Sequence, residues 1–434
     1  MRVPTVTPDG SARAEDVTAA PTGLRASVET LVQQLDARTL ADRTQAERGL
    51  LDLGPEVLKY FPAPELTPSV AVREALKRIR VQLERRAARE SAQASLVRFT
   101  GSSTVAGLLS VLEAQTRNRV ELNEQAQAKS RQTLRVESEN RPFWECLDEV
   151  CDQLKLRYDF DDQRGALRLR PRLPADPPEL VVQRSGPFRL AIDSAEIRPI
   201  LGNSSDRLIR ISGHVRLEPR LRPLFLHFAA ADVAAVASRR RLEPWNKAAT
   251  YELPVNDAGR KVPVQFDYIL PAGDDPRSVS LLGRLSVQLA AATERIVFDQ
   301  TAQSPGTARR RGGVTARLRG VSFEPASDGK LNAEIKVAVN YDAGGPAFES
   351  HRTWMFHNAV YFENDAGTRF DFKDYDTTLQ ANGAVGVNYR WDQLPGPATQ
   401  YHFVYEAPTL ILDLPMDVRL DSVPVEAIAT PPSP

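Results

Sequence analysis

Two internal repeats constrain this chain more than any other feature. With an offset of 38 residues, "TVAGLLSVLEAQTRNRVEL" from Thr104 overlies "PFWECLDEVCDQLKLRYDF" from Pro142. Leu109 falls on Leu147, Leu112 on Val150, Gln115 on Gln153, Arg119 on Arg157 and Leu122 on Phe160. Each apolar stripe has helical spacing. Each is flanked by short alternating segments, "SLVRFTG" and "NRVELN" in one copy, "TLRVESE" and "LRYDFD" in the other. With a final "ALRLRPR", residues 95–171 read as a duplicated βαβ module, both helices on one face of a small sheet.

The second repeat is longer. "RLAIDSAEIRP" (189–199) overlies "ARLRGVSFEP" (316–325), and "VPVQFDY" (262–268) overlies "VGVNYRW" (385–391). "LPAG" (270–273) then meets "LPGP" (394–397), and "LSVQL" (285–289) meets "TLILD" (409–413). Order and spacing persist, with turn sequences such as "NDAG" and "ASDG" between alternating runs. That pattern predicts two tandem immunoglobulin-like β-sandwiches, 188–300 and 314–425. "AAADVAAVASRRR" (229–241) is the one stretch there that reads as helix.

The rest fills in around these repeats. Residues 1–23 lack periodicity and are expected to be disordered. Residues 24–92 form helices. Val28, Leu31, Val32 and Leu35 make one stripe, and Ala46, Leu50 and Leu53 a second that Gly54-Pro55 ends. Val72, Leu76, Ile79 and Leu83 line a third helix, whose other face carries Arg73, Lys77, Arg78, Arg80, Arg85, Arg86 and Arg89, read as solvated. A Pro-rich connector (172–187), a flexible basic linker (301–313) and a disordered tail (426–434) complete the chain. Its 434 residues exceed one ordinary core. The fold class expected is therefore a multidomain α+β protein.

The strand, "PFWECLDEVCDQLKLRYDFD" and a strand ending in Arg-Pro resemble the short N-terminal (STN-like) module of secretins and TonB-dependent receptors. Phe143, Leu147, Val150, Leu154 and Tyr158 take that family's core places. The resemblance implies a protein-docking module of the bacterial envelope without catalytic residues. A secretin pore region or outer-membrane barrel is missing, so secretion and transport are not implied. Residues 39–60 also resemble one HEAT-type helical unit, which cannot build a binding surface alone.

Charge and motifs narrow the chemistry. Lys+Arg and Asp+Glu both number 56, a balance that argues against a nucleic-acid-binding protein. The two cysteines, Cys146 and Cys151, sit five apart on one helix, too far around it to bridge and without metal-ligand spacing. They read as core filling. His351 and His357, with His402, suggest a three-histidine site, but a strand separates the first two by about 20 Å. Glu363, Asp365 and Asp371 suggest a weak calcium loop, against the preferred hairpin tip at Asp365-Ala366-Gly367. Trp354, Tyr389 and Trp391 belong to an aromatic cluster, mostly core, that allows a contact patch for a sugar or protein. Phosphate loops, nucleophile elbows and zincin motifs are missing from the sequence.

No cofactor and no metal is expected. The function expected is a non-enzymatic, envelope-associated scaffold or adaptor, docking unidentified protein partners through the module and the sandwiches. The rival readings are a carbohydrate-active or other hydrolytic enzyme with a carboxylate pair in a sandwich cleft, and a self-assembling surface protein. Family analogy places the chain in the envelope or periplasm; the lack of a signal-peptide pattern leaves the cytoplasm as the alternative. No run of residues is apolar and long enough for a transmembrane helix.

Overall fold

A computed structural model describes residues 20–427, apart from 63–66, 68, 162–165, 201, 256–260, 312, 342–357 and 382. The chain divides into two compact units, Met1–Glu90 and Ser91–Pro434. It is 26% helix and 52% strand, so sheet dominates a mixed α and β fold.

The first unit is helical. Helices α1 (Ala20–Gln34), α2 (Leu40–Asp52) and α3 (Val70–Ser91) pack through Val28, Leu35, Ala46, Leu50, Val72, Leu76, Ile79 and Leu83, the predicted stripes. Thr39 caps α2 by accepting from the Asp42 amide, and Gly54, at φ +83°, breaks the chain out of it. Helix α1 starts at Ala20, inside the stretch expected to be disordered; residues 1–19 of that stretch lie outside the described set.

In the second unit the module comes first. Its strands are β1 (Leu96–Phe99), β2 (Ser102–Thr104), β3 (Val120–Leu122), β4 (Thr133–Arg135), β5 (Ser138–Pro142), β6 (Leu156–Asp161) and β7 (Ala166–Pro171). Helices α4 (Val105–Thr116) and α5 (Phe143–Leu154) both have twelve residues. Arg117 and Lys155 end them in the same left-handed conformation, so the repeat extends to the helix caps. The single sheet expected is instead three small ones. β1 pairs with β5, β2 with β4, and β7 lies between β3 and β6. The first strand of each copy thus pairs with the second strand of the other. One core, including Leu108, Leu109, Leu112, Phe143, Leu147, Val150 and Leu154, takes both helices.

The two β copies follow. The first contains β8 (Val181–Ser185), β9 (Phe188–Ile200), β10 (Asn203–Leu217), β11 (Arg222–Ala229), β12 (Val233–Ala237), β13 (Arg240–Pro244), β14 (Thr250–Pro254), β15 (Lys261–Leu270) and β16 (Ser278–Phe298). The second contains β17 (Ala308–Arg311), β18 (Val314–Pro325), β19 (Leu331–Tyr341), β20 (Val360–Asn364), β21 (Arg369–Asp371), β22 (Asp374–Ala381), β23 (Ala384–Leu394) and β24 (Tyr401–Pro424). The order β8-β9-β10-β15 recurs as β17-β18-β19-β23, and β13-β12-β16 as β21-β20-β24.

The copies are not separate bodies. The last strands, β16 and β24, pair antiparallel from Ser278↔Pro424 to Phe298↔Phe403, joining the copies in one 13-stranded sheet. Gln288 faces Asp413 and Leu289 faces Leu412. The repeat carries Gln288 onto Leu412 and Leu289 onto Asp413, so the pairing maps onto itself about a local twofold axis. Each last strand starts in its own copy and finishes in the other. Ile296 and Phe298 of β16 lie in the second copy's core with Leu318, Ile335, Trp391 and Phe403. A boundary at residue 300 therefore cuts that core away from its own members.

Three other expectations change. Residues 229–241 are not helix: Ala230–Asp232 form a 3-10 turn, and β12 alternates buried and open residues against β16. Gly283 allows this approach, because a Cβ there would lie 2.2 Å from the Asp232 carbonyl oxygen. Alternation beats alanine's helix preference once a partner strand is present. The connector and the linker contain paired strands, β8 and β17. The tail contributes β25 (Glu426–Ala427), parallel to β9; residues 428–434 lie outside the described set.

Candidate functional site

The most elaborate polar site lies where the module meets the first β copy. Helix α5 supplies Trp144 and Asp148, one turn apart on one face. Trp144 is 1% exposed and donates from Nε1 to the Pro187 carbonyl at 2.9 Å. Asp148 accepts from Arg184 Nε at 2.7 Å, from Arg189 Nε at 3.1 Å and from the Tyr158 hydroxyl at 3.1 Å. Arg189 turns its other nitrogens to Glu179, at 3.1 and 2.6 Å. The Arg189 and Arg216 guanidiniums both lie over the Tyr158 ring, at 5.5 and 5.6 Å from its centroid. A second clamp centres on Glu218, fully buried, which accepts from the Ser95 amide and hydroxyl and from Asn118 Nδ2 at 2.9, 2.6 and 3.0 Å.

Beside the first clamp is a cleft of about 500 Å³, lined by Tyr158, Pro177, Pro178, Arg184, Arg189 and Arg216 among others. Its carboxylates are committed to arginines. Burial alone would raise the Glu179 carboxyl, but the bond to Arg189 and that residue's charge hold it below 4.5. Burial lowers Arg216, and it pushes Tyr158 well up with help from the nearby Asp148 charge. Buried ion pairs with satisfied hydrogen bonds fix orientation here. Nothing in the arrangement poises an acid, base or nucleophile toward open space.

His214 adds a pH dependence. It is 1% exposed, with Nδ1 2.9 Å from Asp193 and Nε2 3.6 Å from Glu179, while Lys261 and Arg216 also bear on it. Burial lowers its pKa from 6.5. The unfolded chain therefore takes up a proton first, and stability is lost as pH falls below 6.5. Glu179, lowered from 4.5, adds a loss at lower pH. The urea midpoint should fall on acidification, and His214→Gln should flatten the upper part of that fall. An unchanged slope in the variant would contradict this assignment.

The cysteines fit as core filling. Both are free and buried, and burial raises both thiols. In the native chain a thiol reagent should label neither, and in denaturant both; rapid native labelling would contradict the packing.

The other residues singled out by sequence scatter. Glu363 pairs with Arg295, Asp365 accepts from His402 Nε2 at 2.9 Å, and Asp371 pairs with Arg369 at 2.6 Å. The three carboxylates face three different partners, and Asn364 with Gly367 makes the tight turn between β20 and β21. Among the described residues no group of three or more His, Cys, Asp or Glu side chains is placed to hold a metal ion. Tyr389 and Trp391 are not contact aromatics: they are 0% and 1% exposed, Trp391 lying 4.3 Å from the Phe362 ring. Trp354, His351 and His357 lie outside the described residues.

Sequence reasoning missed Asp148, Arg189, His214 and Glu218. The signal was faint: Arg189 sits inside the buried run "FRLAI" of β9, where a cation needs a buried partner. No protein-family model matches the chain, and no curated protein or solved structure matches it. No helix among the described residues is long and apolar enough to cross a membrane.

Proposed function

We propose that this chain is a non-enzymatic scaffold or adaptor of the bacterial envelope, in which an STN-like module mounted on two immunoglobulin-like copies docks another protein. One contrast carries the reading. The equivalent helices α4 and α5 are used differently. On α5, Trp144 and Asp148 bond to groups outside the module, the Pro187 carbonyl and the Arg184 and Arg189 guanidiniums, and Cys151 on the same side is buried. Their counterparts on α4, Ala106, Ser110 and Glu113, are exposed. One helix holds the module in place, and the same face of the other is presented outward. Strand addition at β1 is disfavoured, because Gln115 already bonds both the amide and the carbonyl of Arg98, at 2.8 and 2.9 Å. The outward face of α4 is the docking surface this contrast favours.

The test is a photo-reactive amino acid at Ser110 in the full chain, expressed in its own host. A discrete covalent adduct at Ser110, lost with Glu113→Arg and not formed from Arg284 on the β sheet, is the expected result. No adduct at Ser110 with the protein folded, or turnover of a substrate by the purified chain, would overturn the reading.

A further inference from the structure

His214 stands at the foot of a line of ionic contacts that ends on α5. It lies on β10 between β9 and β15, opposite Ala191 and Pro263, and its ring is 1% exposed. Nδ1 is 2.9 Å from the Asp193 carboxylate, which can only accept, so the neutral ring donates there. That leaves the Nε2 lone pair 3.6 Å from Glu179 Oε1, and among the described residues Nε2 has no hydrogen-bond partner. Glu179 is already held, because both its oxygens accept from Arg189, which also reaches Asp148 on α5. The charged groups that bear on the ring are Asp193 on β9, Glu179 before β8, Arg216 on β10 and Lys261 on β15. Arg189 and Tyr158 lie one contact further out.

We propose that His214 is a proton-operated latch, whose protonation releases the α5 side of the module from the first β copy. A proton on Nε2 creates a buried cation with a new N–H. That N–H either stays without an acceptor, which is costly for a charged donor, or draws Glu179 away from Arg189. The first is relieved by water entering the junction; the second breaks the line Glu179–Arg189–Asp148. Both loosen α5. Burial opposes the charged ring, Asp193 favours it, and Lys261 and Arg216 oppose it, so its pKa lies below the ordinary 6.5. Opening returns the ring to water and to its ordinary value. The closed form therefore binds fewer protons than the open one, and it is lost as pH falls below 6.5. The second clamp, Glu218 with Ser95 and Asn118, contains no histidine and serves as the anchor about which the module opens.

The latch acts through α5, not through the outward face of α4, so it stands or falls apart from the docking proposal. The two cysteines read it. Cys151 lines the cleft beside Asp148 and is 4% exposed, whereas Cys146 points to the Ser138 hydroxyl inside the module, at 3.4 Å. The full chain is treated with a dipyridyl disulfide, which stays reactive in acid, from about pH 7.5 to about pH 4. Each rate is divided by that of the urea-unfolded chain at the same pH. Near neutrality neither thiol should react. On acidification Cys151 alone should become reactive, its relative rate rising up to about tenfold per pH unit from 6.5 downward. H214Q, which keeps a neutral donor toward Asp193, should abolish that rise. A rise that persists in H214Q, or both cysteines reacting together as in unfolding, would overturn the proposal. So would a wild-type profile that stays flat until the carboxylate range, below about 4.5, a result that does not depend on the variant folding.

Discussion

Asp148→Ala should destabilise the Ser91–Pro434 unit by about 3–5 kcal/mol, the scale for removing one partner of a buried ion pair. The cause is what stays behind. Arg189, 5% exposed, keeps Glu179 but loses the carboxylate on its other side. Arg184 and the Tyr158 hydroxyl lose the same acceptor. Asp148→Asn, which preserves shape and one acceptor, should cost less. The urea midpoint with intrinsic fluorescence measures both, and equal effects from the two variants would show that charge is not what the site requires. The loss should also loosen the module: hydrogen exchange in β6 and α5 should speed up more than in β19 and β23, which lie remote from Asp148.

Phe298→Ala should cost a further about 3–5 kcal/mol, the range for deleting a buried aromatic ring. Phe298 is fully buried, 6.0 Å from the Phe403 ring, with the Arg309 guanidinium 5.8 Å from its centroid. By sequence it ends the first β copy; by packing it belongs to the second. Exchange protection should therefore fall in β18, β19 and β23 as well as in β9, β10 and β15. Loss confined to β9, β10 and β15 would place the side chain in the wrong core.

This pair of residues also shows what the sequence could reveal. Period-2 alternation in "VPVQFDY" and "VGVNYRW" made the strands and their duplication legible, because side-chain period and burial face are one property. The helical stripe Phe143, Leu147, Val150 and Leu154 was legible for the same reason, as was the packing role of Cys146 and Cys151. Partner choice was not. An offset shows that two segments are alike, and says nothing of which strand each pairs with. Both repeats are closed by exchange between copies, β1 with β5 and β2 with β4 in the module, β16 with β24 in the sheet. In each case a local register looks the same whether the partner lies within the copy or across it. The polar clamp was hidden for a related reason. Asp148 and Arg189 are distant in sequence and become a site only when α5 is seated on β9, and Glu218 only when it meets Ser95 and Asn118.

The helical misreading of 229–241 has a simple physical origin. Alanine favours a helix in isolation, by tenths of a kcal/mol per residue. β12 instead gains a ladder to β16 and buries Val233, Ala235 and Ala237. Basic linkers mislead similarly: "ARRR" is solvated like a linker, yet its backbone pairs with β18.

Strand exchange between the β copies is the central claim, and stepwise denaturation followed by hydrogen exchange tests it most directly. Peptides from β9, β10 and β15 should lose protection at the same urea concentration as peptides from β18, β19 and β23, because β16 and β24 serve both cores. If the second set opened while the first stayed protected, the copies would be independent domains and the shared-strand architecture would be wrong.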